Sequence, residues 1–585
     1  MSGASVIDAT RRRTAPAARA VVRRPTATTV VLVATLAIAA LLGWSRRWNG
    51  DDAFIVFRVV EHILDGHGAV YNIGERVEAV TSPVWLALLV VARVVVPAPV
   101  EWLAVVMGLA FAVAGLGLAM IGARRLEPRA GRLIPVGALV WIGLSPAWDF
   151  ATSGLETGLG TAWLGACCAV LARLASTDLP GAPNTGASRP RLIGAAVLIG
   201  LGPLLRPDFA VFSAVTGVAL LVICRHHGRR TLVALVIAAA ALPTVVEVLR
   251  MGYYAALVPT TAIAKEATQA NWAQGWLYVT DLARTYAIVV PVAALIALVA
   301  SAAARDDGRR RIVRVALPLA GALHALAVVR GGGDFMHARM LLPALFALLA
   351  PVAVLRVRSP VQAGAVAVVA CWAFVAAVAL RPPAGTAGVR DGISDQRSFY
   401  VLATDTQHPV TLDDFAGYAR VEHGRRAARL AAAGRRSLIV DEGAHPLTDH
   451  TTATVVYEAG AIGLPGMAAG RDVYVLDRLG LADAYTARLR LDERRRPGHD
   501  KPLPLSWVWG RYGADGAVPA DVRDAAAAAA EAMSCPPLRE LDAAITQPLT
   551  PQRFVANIAA AASLTRLRFP SDPAAAAIEM CSGGR

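Results

Sequence analysis

Two adjacent carboxylates, Asp51 and Asp52, follow closely behind the first long apolar segment of the chain. A carboxylate at the edge of a cavity can take the proton from a hydroxyl group that attacks a substrate. Capping of a following helix would explain one of these side chains but not both. We therefore expect at least one of them to be catalytic. We favour Asp51, because a residue at the start of the helix has its side chain freer to face a cavity.

A glycine-rich segment, GGGDFMHAR at residues 331–339, is the second candidate for chemistry. Three glycines allow close approach of the backbone, and the amino terminus of a following helix offers free N–H groups and a positive dipole end to an anion. His337 and Arg339 add donors that suit a phosphate group. The alternative is a flexible loop in which Asp334 caps the helix and Arg339 extends towards water. We expect an anion site here.

Further polar side chains lie in short segments between apolar stretches, where a charge is costly unless it is paired or used. They are Glu78, Asp149, Glu156, Arg206, Tyr253, Tyr254 and Lys265. Arg206 could instead form an ion pair with Asp208 or Asp149. Glu156 could satisfy neighbouring helices, and Lys265 could be a solvated loop residue. The grouping of these side chains predicts a cavity at one surface of a membrane.

The composition indicates which elements position these residues. Of the 585 residues, 56% are hydrophobic and 17% are charged, and the mean hydropathy is +0.50. Stretches of about 17–21 residues that are nearly free of charge are typical of membrane helices. The net charge of +15 comes almost entirely from arginine, because only Lys265 and Lys501 are lysines. The arginines cluster at the ends of apolar stretches, which indicates membrane orientation and not binding of nucleic acid.

The apolar windows predict a polytopic α-helical membrane protein with about eleven spans. The spans are expected to start near Ala27, Glu101, Leu133, Leu155, Leu192, Asp208, Thr231, Tyr286, Ile312, Met340 and Val361. Residues 83–97 are interpreted as a partial or re-entrant helix, because the positive-inside rule then places the arginine-rich loops in the cytoplasm. These cytoplasmic loops are 123–132, 225–230, 305–311 and 356–358. The outward loops are 45–82, 146–154, 205–207, 250–284 and 330–339. Arg46 and Arg47 then lie outside, against the rule.

The remaining parts of the chain lie outside the membrane. Residues 1–26 are predicted to be a disordered cytoplasmic tail, and residues 27–381 form the transmembrane domain. Residues 382–585 are predicted to be an extracytoplasmic soluble domain of mixed α/β structure that could bind glycan. This domain contains Cys535 and Cys581, and an oxidising compartment favours a disulfide between them over two free thiols.

The segment that follows the two aspartates has the pattern of an amphipathic helix. Phe54, Phe57 and Leu64 recur at helical spacing, whereas Arg58 falls on another part of the helical wheel. Such a helix is expected to lie in the membrane interface. It would hold the two carboxylates at the lip of a cavity that is open to lipid.

Several motifs occur in an order that resembles a known family. They are the DD pair, GHGAVYN, GERVEAVTSPVW, SGLETG, LLRPD, a YY loop that leads to Lys265, and GGGDFMHAR followed by LLP. The chain resembles the GT-C glycosyltransferases that use polyprenyl-phosphate sugars. Within them it looks most like the actinobacterial arabinofuranosyltransferases of the terminal β-1,2 type. The resemblance extends through AGAIGLPG and VLDRLGLAD into the C-terminal part.

The resemblance implies a GT-C fold in the plasma membrane with an extracytoplasmic active site. It also implies a decaprenyl-phosphate arabinofuranose donor, and an acceptor arabinan in arabinogalactan and lipoarabinomannan. The catalytic carboxylate is then Asp51 or Asp52, on the first outward loop. The residues expected around the donor phosphate are His337, Arg339, Arg206 and Lys265. The residues expected to contact the substrates are Glu78, Asp149, Glu156, Asp334, Tyr253 and Tyr254.

No cofactor is expected, because the sugar arrives already activated on lipid. A divalent cation between the two acids could assist, although a monophosphate leaving group makes it less necessary. If a β-linked donor gives a β-linked product, retention needs a carboxylate nucleophile or a front-face route, and the two acids could divide the roles. The alternatives are transfer of another lipid-linked sugar, such as mannose, and a non-enzymatic membrane scaffold that binds glycan. A transporter is disfavoured, because the polar residues lie at one membrane edge and the sequence has no internal repeat.

Overall fold

The computed structural model of the chain describes residues 26–127, 133–176, 188–266, 269–303, 308–382, 389–494 and 498–582. The predicted disordered tail lies outside these residues, apart from Thr26. Parts of the predicted cytoplasmic loops 123–132 and 305–311 also lie outside them. The described part is mainly helical, with a two-stranded and a four-stranded sheet.

The first seventeen α-helices belong to the predicted membrane domain. They are α1 (Ala27–Ser45), α2 (Asp51–Leu64), α3 (Pro83–Val95), α4 (Val100–Leu126), α5 (Val136–Gly143), α6 (Ser145–Asp149), α7 (Thr157–Ser176), α8 (Arg189–Gly200), α9 (Gly202–Leu205), α10 (Ala210–Ile223), α11 (Arg229–Tyr254), α12 (Thr260–Ala264), α13 (Trp272–Thr285), α14 (Val289–Ala303), α15 (Gly308–Arg330), α16 (Leu342–Leu349) and α17 (Pro360–Val378). The helices of the C-terminal part are α18 (Gln396–Thr404), α19 (Ala419–Ala432), α20 (Leu464–Ala469), α21 (Leu505–Tyr512), α22 (Arg523–Ser534), α23 (Pro536–Thr546), α24 (Pro551–Arg566) and α25 (Pro573–Ser582).

Among the described residues, six helices are long and apolar enough to cross a membrane, namely α1, α4, α7, α11, α15 and α17. Helices α13 and α14 meet at an angle of 82° and make a seventh span if they are taken together. The predicted polytopic helical membrane protein is confirmed, whereas the count of about eleven spans is not. Several expected spans are divided or short in the structure. The apolar segment after Leu133 forms α5 and α6, and the segment around Leu192 forms the twelve-residue helix α8.

Helix α3 lies within residues 83–97 and is shorter than a membrane span, as predicted. Helix α3 has 13 residues, which at 1.5 Å per residue gives about 20 Å, less than the roughly 30 Å of a bilayer core. Its start is fixed by Pro83 in the first turn and by the hydroxyl of Ser82, which accepts a hydrogen bond from the Trp85 amide at 3.3 Å.

Helices α4 and α7 pack with their backbones in close contact. A Cβ atom on Gly158 would lie 2.1 Å from the carbonyl oxygen of Gly108, and one on Gly165 would lie 2.2 Å from that of Gly115. Small residues at such crossings permit van der Waals packing of helices in lipid, where the hydrophobic effect does not drive association. The glycines therefore fix the pair that carries Glu156 at one end.

The loops predicted to be cytoplasmic lie together in the structure. The Arg314 guanidinium donates to the carbonyl oxygen of Leu126 at 3.2 Å and pairs with Glu127 at 2.8 Å. Strand β1 (Leu133–Ile134) pairs antiparallel with β2 (Leu355–Arg356) at the same place. This arrangement agrees with their assignment to one side of the membrane.

Arg46 and Arg47, which the positive-inside rule does not favour outside, both have partners. The Arg46 guanidinium pairs with Asp149, with Nη2 and Oδ2 3.1 Å apart. The Arg47 guanidinium lies 4.9 Å from the centre of the Trp44 ring. These contacts give both arginines a structural reason to lie at the end of α1, and they use the Asp149 carboxylate.

The four-stranded sheet lies in the C-terminal part, as predicted. Its strands are β3 (Ser437–Val440), β4 (Gly443–Pro446), β5 (Val455–Ala459) and β6 (Val473–Asp477), in the order β4-β3-β5-β6. Strands β3, β5 and β6 are parallel, and β4 pairs antiparallel with β3 through a tight hairpin. Buried side chains from the strands and from the helices that follow form one core, including Leu438, Val456, Leu476, Trp507 and Phe569.

The predicted disulfide between Cys535 and Cys581 is confirmed. It joins the residue between α22 and α23 to the last helix, α25, with the two Cα atoms 4.9 Å apart. Among the described residues, the cysteines of the membrane part are free thiols. The disulfide therefore links the last helix of the described chain, α25, to the junction of α22 and α23.

Helix α2 forms over the predicted residues, but its environment differs from the prediction. Residues 53–60 are all buried, so the helix does not lie half-exposed in a membrane interface. The buried Arg58 guanidinium, on the polar side, donates to four carbonyl oxygens, those of Tyr71 at 2.9 Å, Gly466 at 2.5 Å, Gly470 at 2.6 Å and Val473 at 2.9 Å. The C-terminal domain therefore covers the face that was expected to meet water.

The loop after α2 continues this docking. Asn72 bonds to both backbone groups of Val475, with its Oδ1 accepting from the amide and its Nδ2 donating to the carbonyl, each at 3.0 Å. The Tyr71 hydroxyl donates to the carbonyl oxygen of Ile462 at 2.6 Å. The first outward loop and the C-terminal domain thus form one continuous structure around the two aspartates.

Candidate active site

Asp51 is held by the C-terminal domain, although it also lines the cavity described below. Its carboxylate accepts hydrogen bonds from the Leu464 amide at 2.8 Å and the Gly463 amide at 3.1 Å, at the amino terminus of α20. Burial raises the pKa of Asp51 to about 6, although these two hydrogen bonds oppose the shift. The expectation that Asp51 has the freer side chain is therefore wrong, because both of its oxygens are occupied.

Asp52 is the carboxylate that remains available. Its side chain is 25% exposed, and its Oδ2 lies 3.5 Å from Nη1 of Arg339. Helix α2 begins at Asp51, after Gly50, and neither aspartate makes a side-chain cap. Simple capping therefore does not account for the pair.

Arg339 connects Asp52 to an ionic cluster built from four of the predicted motifs. Its guanidinium lies 3.6 Å from Glu156 and 3.7 Å from Asp334. Glu156 also pairs with Arg206 at 2.5 Å. Burial would raise the pKa of Glu156, but the charges of Arg206 and Arg339 outweigh it and lower the pKa. The motifs NGDD, SGLETG, LLRPD and GGGDFMHAR therefore converge on one ionic cluster, and of its members only Asp52 also lines the cavity described below.

Arg206 has the ion pair that was the alternative to phosphate binding. Its Nε lies 3.0 Å from Asp208, whose carboxylate in turn accepts a hydrogen bond from Nε2 of His324 at 2.8 Å. With Glu156 on its other side, Arg206 is enclosed by two carboxylates. It is therefore central to the cluster, and its binding of the donor phosphate stays a prediction.

Two buried atoms of the cluster lack a hydrogen bond. Arg339 Nε and Asp334 Oδ2 have no hydrogen-bond partner among the described residues, although Asp334 Oδ2 lies 3.7 Å from Nη1 of Arg339. Buried polar atoms are nearly always bonded, so each such atom calls for an explanation.

A cavity of about 230 Å³ lies beside the two aspartates, between the membrane part and the C-terminal domain. Its lining includes Asp51, Asp52, Lys265, Tyr400, Arg420 and His499. The prediction that Lys265 faces the site agrees with this placement. Lys265 Nζ lies 3.7 Å from the position that a Cβ on Gly498 would take, and no ion pair engages it among the described residues. The cavity thus combines carboxylates with two cationic side chains.

The glycine-rich segment does not form the expected backbone anion site. A Cβ on Gly333 would lie 2.4 Å from the Tyr278 ring, so the glycine permits close packing on that tyrosine. The amide groups of His337 and Met340 donate to the Ser394 carbonyl and the Tyr278 hydroxyl, both at 3.0 Å. Helix α16 begins only at Leu342. The segment contributes through the side chain of Arg339.

His337 has a carboxylate partner on one side of its ring. Its Nδ1 lies 2.5 Å from a carboxylate oxygen of Asp281, and its ring packs near Tyr286. Its Nε2 is buried and has no hydrogen-bond partner among the described residues, so binding of the donor phosphate by His337 stays a prediction. Sequence reasoning missed Asp281, which lies within α13 and has no motif around it.

Four of the predicted substrate contacts are structural and lie away from the cavity lining. Glu78 pairs with Arg250 at 2.7 Å, and Asp149 pairs with Arg46. Tyr254 donates to the Ala69 carbonyl at 2.8 Å. The Tyr253 hydroxyl would lie 2.5 Å from a Cβ on Gly68. The tyrosines therefore hold the GHGAVYN loop. A role of these four residues in substrate binding stays a prediction.

The C-terminal domain supplies parts of the site that sequence reasoning missed. Arg420, on α19, lines the cavity, and Gly463 meets α2 so closely that a Cβ there would lie 1.7 Å from the Asp51 carbonyl oxygen. The AGAIGLPG motif was a signal for this contact. Nothing in the spacing around Arg420 indicates that it lines the cavity.

The described residues hold no group of three or more His, Cys, Asp or Glu side chains arranged to bind a metal ion. The cation between the two acids stays a prediction.

Comparison with known proteins agrees with this architecture. Residues 438–578 match the AftB family C-terminal domain. The terminal beta-(1→2)-arabinofuranosyltransferase of Mycobacterium tuberculosis is 34% identical, over 92% of this chain and 95% of that protein. The protein of the same name from Corynebacterium glutamicum is 33% identical, over 91% of this chain and 84% of that protein.

A solved structure also aligns with the chain. ArnT from Cupriavidus metallidurans, bound to undecaprenyl phosphate, has a TM-score of 0.42 and 16% identity, over 77% of this chain and 90% of that one. The identity to the two full-length relatives is what assigns the family. The chain belongs to the family of the terminal β-(1→2)-arabinofuranosyltransferases.

Proposed function

We propose that the chain transfers arabinofuranose from decaprenyl-phosphate arabinofuranose to the non-reducing ends of arabinan, in arabinogalactan and lipoarabinomannan, and forms terminal β-1,2 linkages. The observation that carries the proposal is the position of Asp52. Its partly exposed carboxylate opens on a cavity that also contains Lys265 and Arg420. Two relatives with the corresponding name, each aligned over more than nine tenths of the chain, support the choice of sugar and linkage.

In this proposal Asp52 takes the proton from the acceptor hydroxyl while the oxygen of that hydroxyl attacks the anomeric carbon of the donor sugar. With a β-linked donor, the attack comes from the face that the lipid phosphate leaves, so that the β configuration is retained. The bond to the lipid phosphate breaks, and Lys265 and Arg420 stabilise the negative charge of the leaving group. Arg339 orients the Asp52 carboxylate, which lies 3.5 Å from its guanidinium. Asp51 holds α2 in place, because both of its oxygens already accept backbone hydrogen bonds.

We place the cavity on the extracytoplasmic side of the plasma membrane. Helix α4 touches the site at one end, where the Glu101 carbonyl accepts from Asn49 at 3.3 Å. Its other end carries Leu126, which meets Arg314 among the arginine-rich loops. Cytoplasmic loops carry the excess of arginine in membrane proteins. The opposite end of α4 then faces outward, together with Asp52 and the C-terminal domain.

The test is a transfer assay with the full chain in lipid nanodiscs. Synthetic decaprenyl-phosphate arabinofuranose and a synthetic arabinan are the substrates, and the linkage in the product is determined by NMR. We expect a new β-1,2-linked terminal arabinofuranose, and no product with decaprenyl-phosphate mannose. A mannosylated product, or no turnover with either donor, would overturn the proposal.

A further inference from the structure

A second and larger cavity, of about 510 Å³, lies within the C-terminal domain. It is found at the carboxyl ends of the three parallel strands, where Asp441 follows β3, Gly460 follows β5 and Arg478 follows β6. In open sheets with parallel strands, ligands bind in the crevice outside these ends. Helix α19 closes one side with Arg426. We call this space the sheet-edge cavity.

The charges in the sheet-edge cavity cancel. Its side chains comprise three guanidinium groups and three carboxylates, those of Arg420, Arg426, Arg478, Asp441, Glu442 and Glu458. The pairing of Arg478 with Glu458 is loose, at 3.6 Å. Interleaved donors and acceptors without net charge suit a neutral ligand with many hydroxyl groups. A phosphate would meet the carboxylates, so it is not favoured.

The hairpin that supplies two of these acids is strained. Asp441 and Glu442 are the two loop residues between the paired Val440 and Gly443, and both have positive φ, 45° and 66°. Two-residue hairpins of this kind prefer Asn-Gly, Asp-Gly or Gly-Gly, because positive φ is costly for most other residues. Asp441 fits this preference, whereas Glu442 stands where glycine is preferred, and both carboxylates line the cavity. The strain at Glu442 costs stability, and binding of a ligand by its side chain would account for it.

The sheet-edge cavity adjoins the cavity beside Asp52. Arg420, Gly460 and Ala461 line both. A Cβ placed on Gly460 would meet no atom within 4 Å, so the passage is open at that point. A chain molecule bound at the sheet edge would therefore have its end directed towards Asp52.

We propose that the sheet-edge cavity binds the inner sugar units of the acceptor, a neutral oligosaccharide, while its terminal sugar lies at Asp52. This inference rests on the proposed function for the identity of the glycan. The carboxylates and guanidiniums hydrogen-bond to sugar hydroxyls. The cavity then contributes to the use of long acceptors and has no effect on acceptors that fill only the space beside Asp52.

The test uses the double variant Asp441→Asn/Glu442→Gly. It gives the hairpin its preferred residues, so we expect the domain to melt at the same or a higher temperature. The KM for an arabinan hexasaccharide should rise about tenfold or more, because two side chains that bind it are lost or neutralised. The KM for a disaccharide acceptor, the KM for the donor and kcat should stay within about twofold. Arg490→Ala, which removes a surface ion pair with Glu579 in the same domain, is the matched control and should change none of these.

Calorimetric titration of the full chain with the hexasaccharide, without donor, gives a readout that does not need turnover. We expect measurable binding by the wild type and at least tenfold weaker binding by the double variant. Equal hexasaccharide KM and affinity in the two proteins would overturn the inference and leave the transferase proposal intact. Tighter binding of a phosphorylated or acidic glycan than of the neutral one would also overturn it. Binding without any arabinose transfer would instead contradict the proposed function.

Discussion

The carboxylate of Asp51 accepts a hydrogen bond from the backbone amide of Leu464 at 2.8 Å, across a separation of 413 residues in the chain. The bond joins the first turn of α2, in the membrane domain, to the first turn of α20, in the C-terminal domain. Asp52, the next residue, is positioned by this contact. The C-terminal domain is therefore a part of the site's framework, and Asp51 is one of the points at which it is attached.

This contact should depend on pH. Burial raises the pKa of Asp51 from 3.8 to about 6. The folded protein therefore binds the proton more tightly than the unfolded chain, and the contribution of Asp51 to stability falls as the pH rises from about 4 to 6. We expect the melting temperature of the wild type, relative to that of Asp51→Asn, to decrease over this range. Scanning fluorimetry in nanodiscs at several pH values measures the difference, and parallel pH profiles would contradict it.

The sequence predicts the elements of this protein better than it predicts the partners of each charge. Apolar windows and arginine positions identify the membrane part, and the spacing after Asp51 predicts α2. The converging motifs bring Asp52, Glu156, Arg206 and Arg339 together as expected. The choice between Asp51 and Asp52 could not be made, because it depends on amides more than 400 residues away. Glu78 pairs with Arg250, which is also distant in the sequence, and no local pattern reveals this ion pair.

Arg58 should be as important for stability as any residue of the core. Its guanidinium is buried and donates to four carbonyl oxygens of the first loop and the C-terminal domain. Arg58→Met keeps the length but leaves these acceptors unbonded, at about 1–3 kcal/mol for each group that water cannot reach. We expect the free energy of unfolding to fall by about 3 kcal/mol or more, measured by urea denaturation followed by tryptophan fluorescence.

Arg93→Met is the matched control for Arg58. Arg93 is about a third exposed and lies 3.6 Å from Glu61, so its loss should cost about 1 kcal/mol or less. If the two variants unfold at the same urea concentration, the buried guanidinium does not hold the domains together.

The disulfide should stabilise the C-terminal domain. Cys535 and Cys581 enclose a loop with a sequence separation of 46 residues, which in the chain-entropy account contributes about 3–4 kcal/mol. The variant with both cysteines replaced by alanine should melt at a lower temperature and should not respond to reductant. The melting temperature of the wild type should fall when reductant is added. Cys371→Ser, which alters a free and exposed thiol, should behave as the wild type. A wild type that is insensitive to reductant and no more stable than the double variant would refute this.

The orientation in the membrane can be tested at single cysteines. In a Cys371→Ser background, we expect Gly228→Cys, in the arginine-rich loop at the end of α10, to resist a membrane-impermeant maleimide added to intact cells. Ile73→Cys, in the first outward loop and 40% exposed, should react under the same conditions. Reaction at position 228 together with protection at position 73 would invert the topology and move Asp52 to the cytoplasmic side.

The asparagine variants of Asp51 and Asp52 should differ in kcat. Asparagine keeps the size of the side chain and can still accept a hydrogen bond, but it cannot take a proton from a sugar hydroxyl. Asp52→Asn should therefore lower kcat by roughly 10²-fold or more, the usual scale for loss of a general base. Its donor affinity and melting temperature should stay near those of the wild type, since the Asp52 carboxylate is partly exposed and lies 3.5 Å from Arg339, its one ion-pair partner in the described part of the chain.

Asp51→Asn is the control that gives the comparison its meaning. The carboxylate accepts one hydrogen bond on each oxygen, from the amides of Gly463 and Leu464, whereas the asparagine side chain has only one oxygen. We therefore expect Asp51→Asn to lose stability and to lose less kcat than Asp52→Asn. If the fall in kcat of Asp51→Asn is accompanied by a fall in its melting temperature, Asp51 is a positioning residue. If instead Asp51→Asn abolishes turnover at full stability while Asp52→Asn stays active, the base is Asp51. The hydrogen bonds from α20 to Asp51 would then have to break during the reaction, so the contact between the two domains would change in each catalytic cycle.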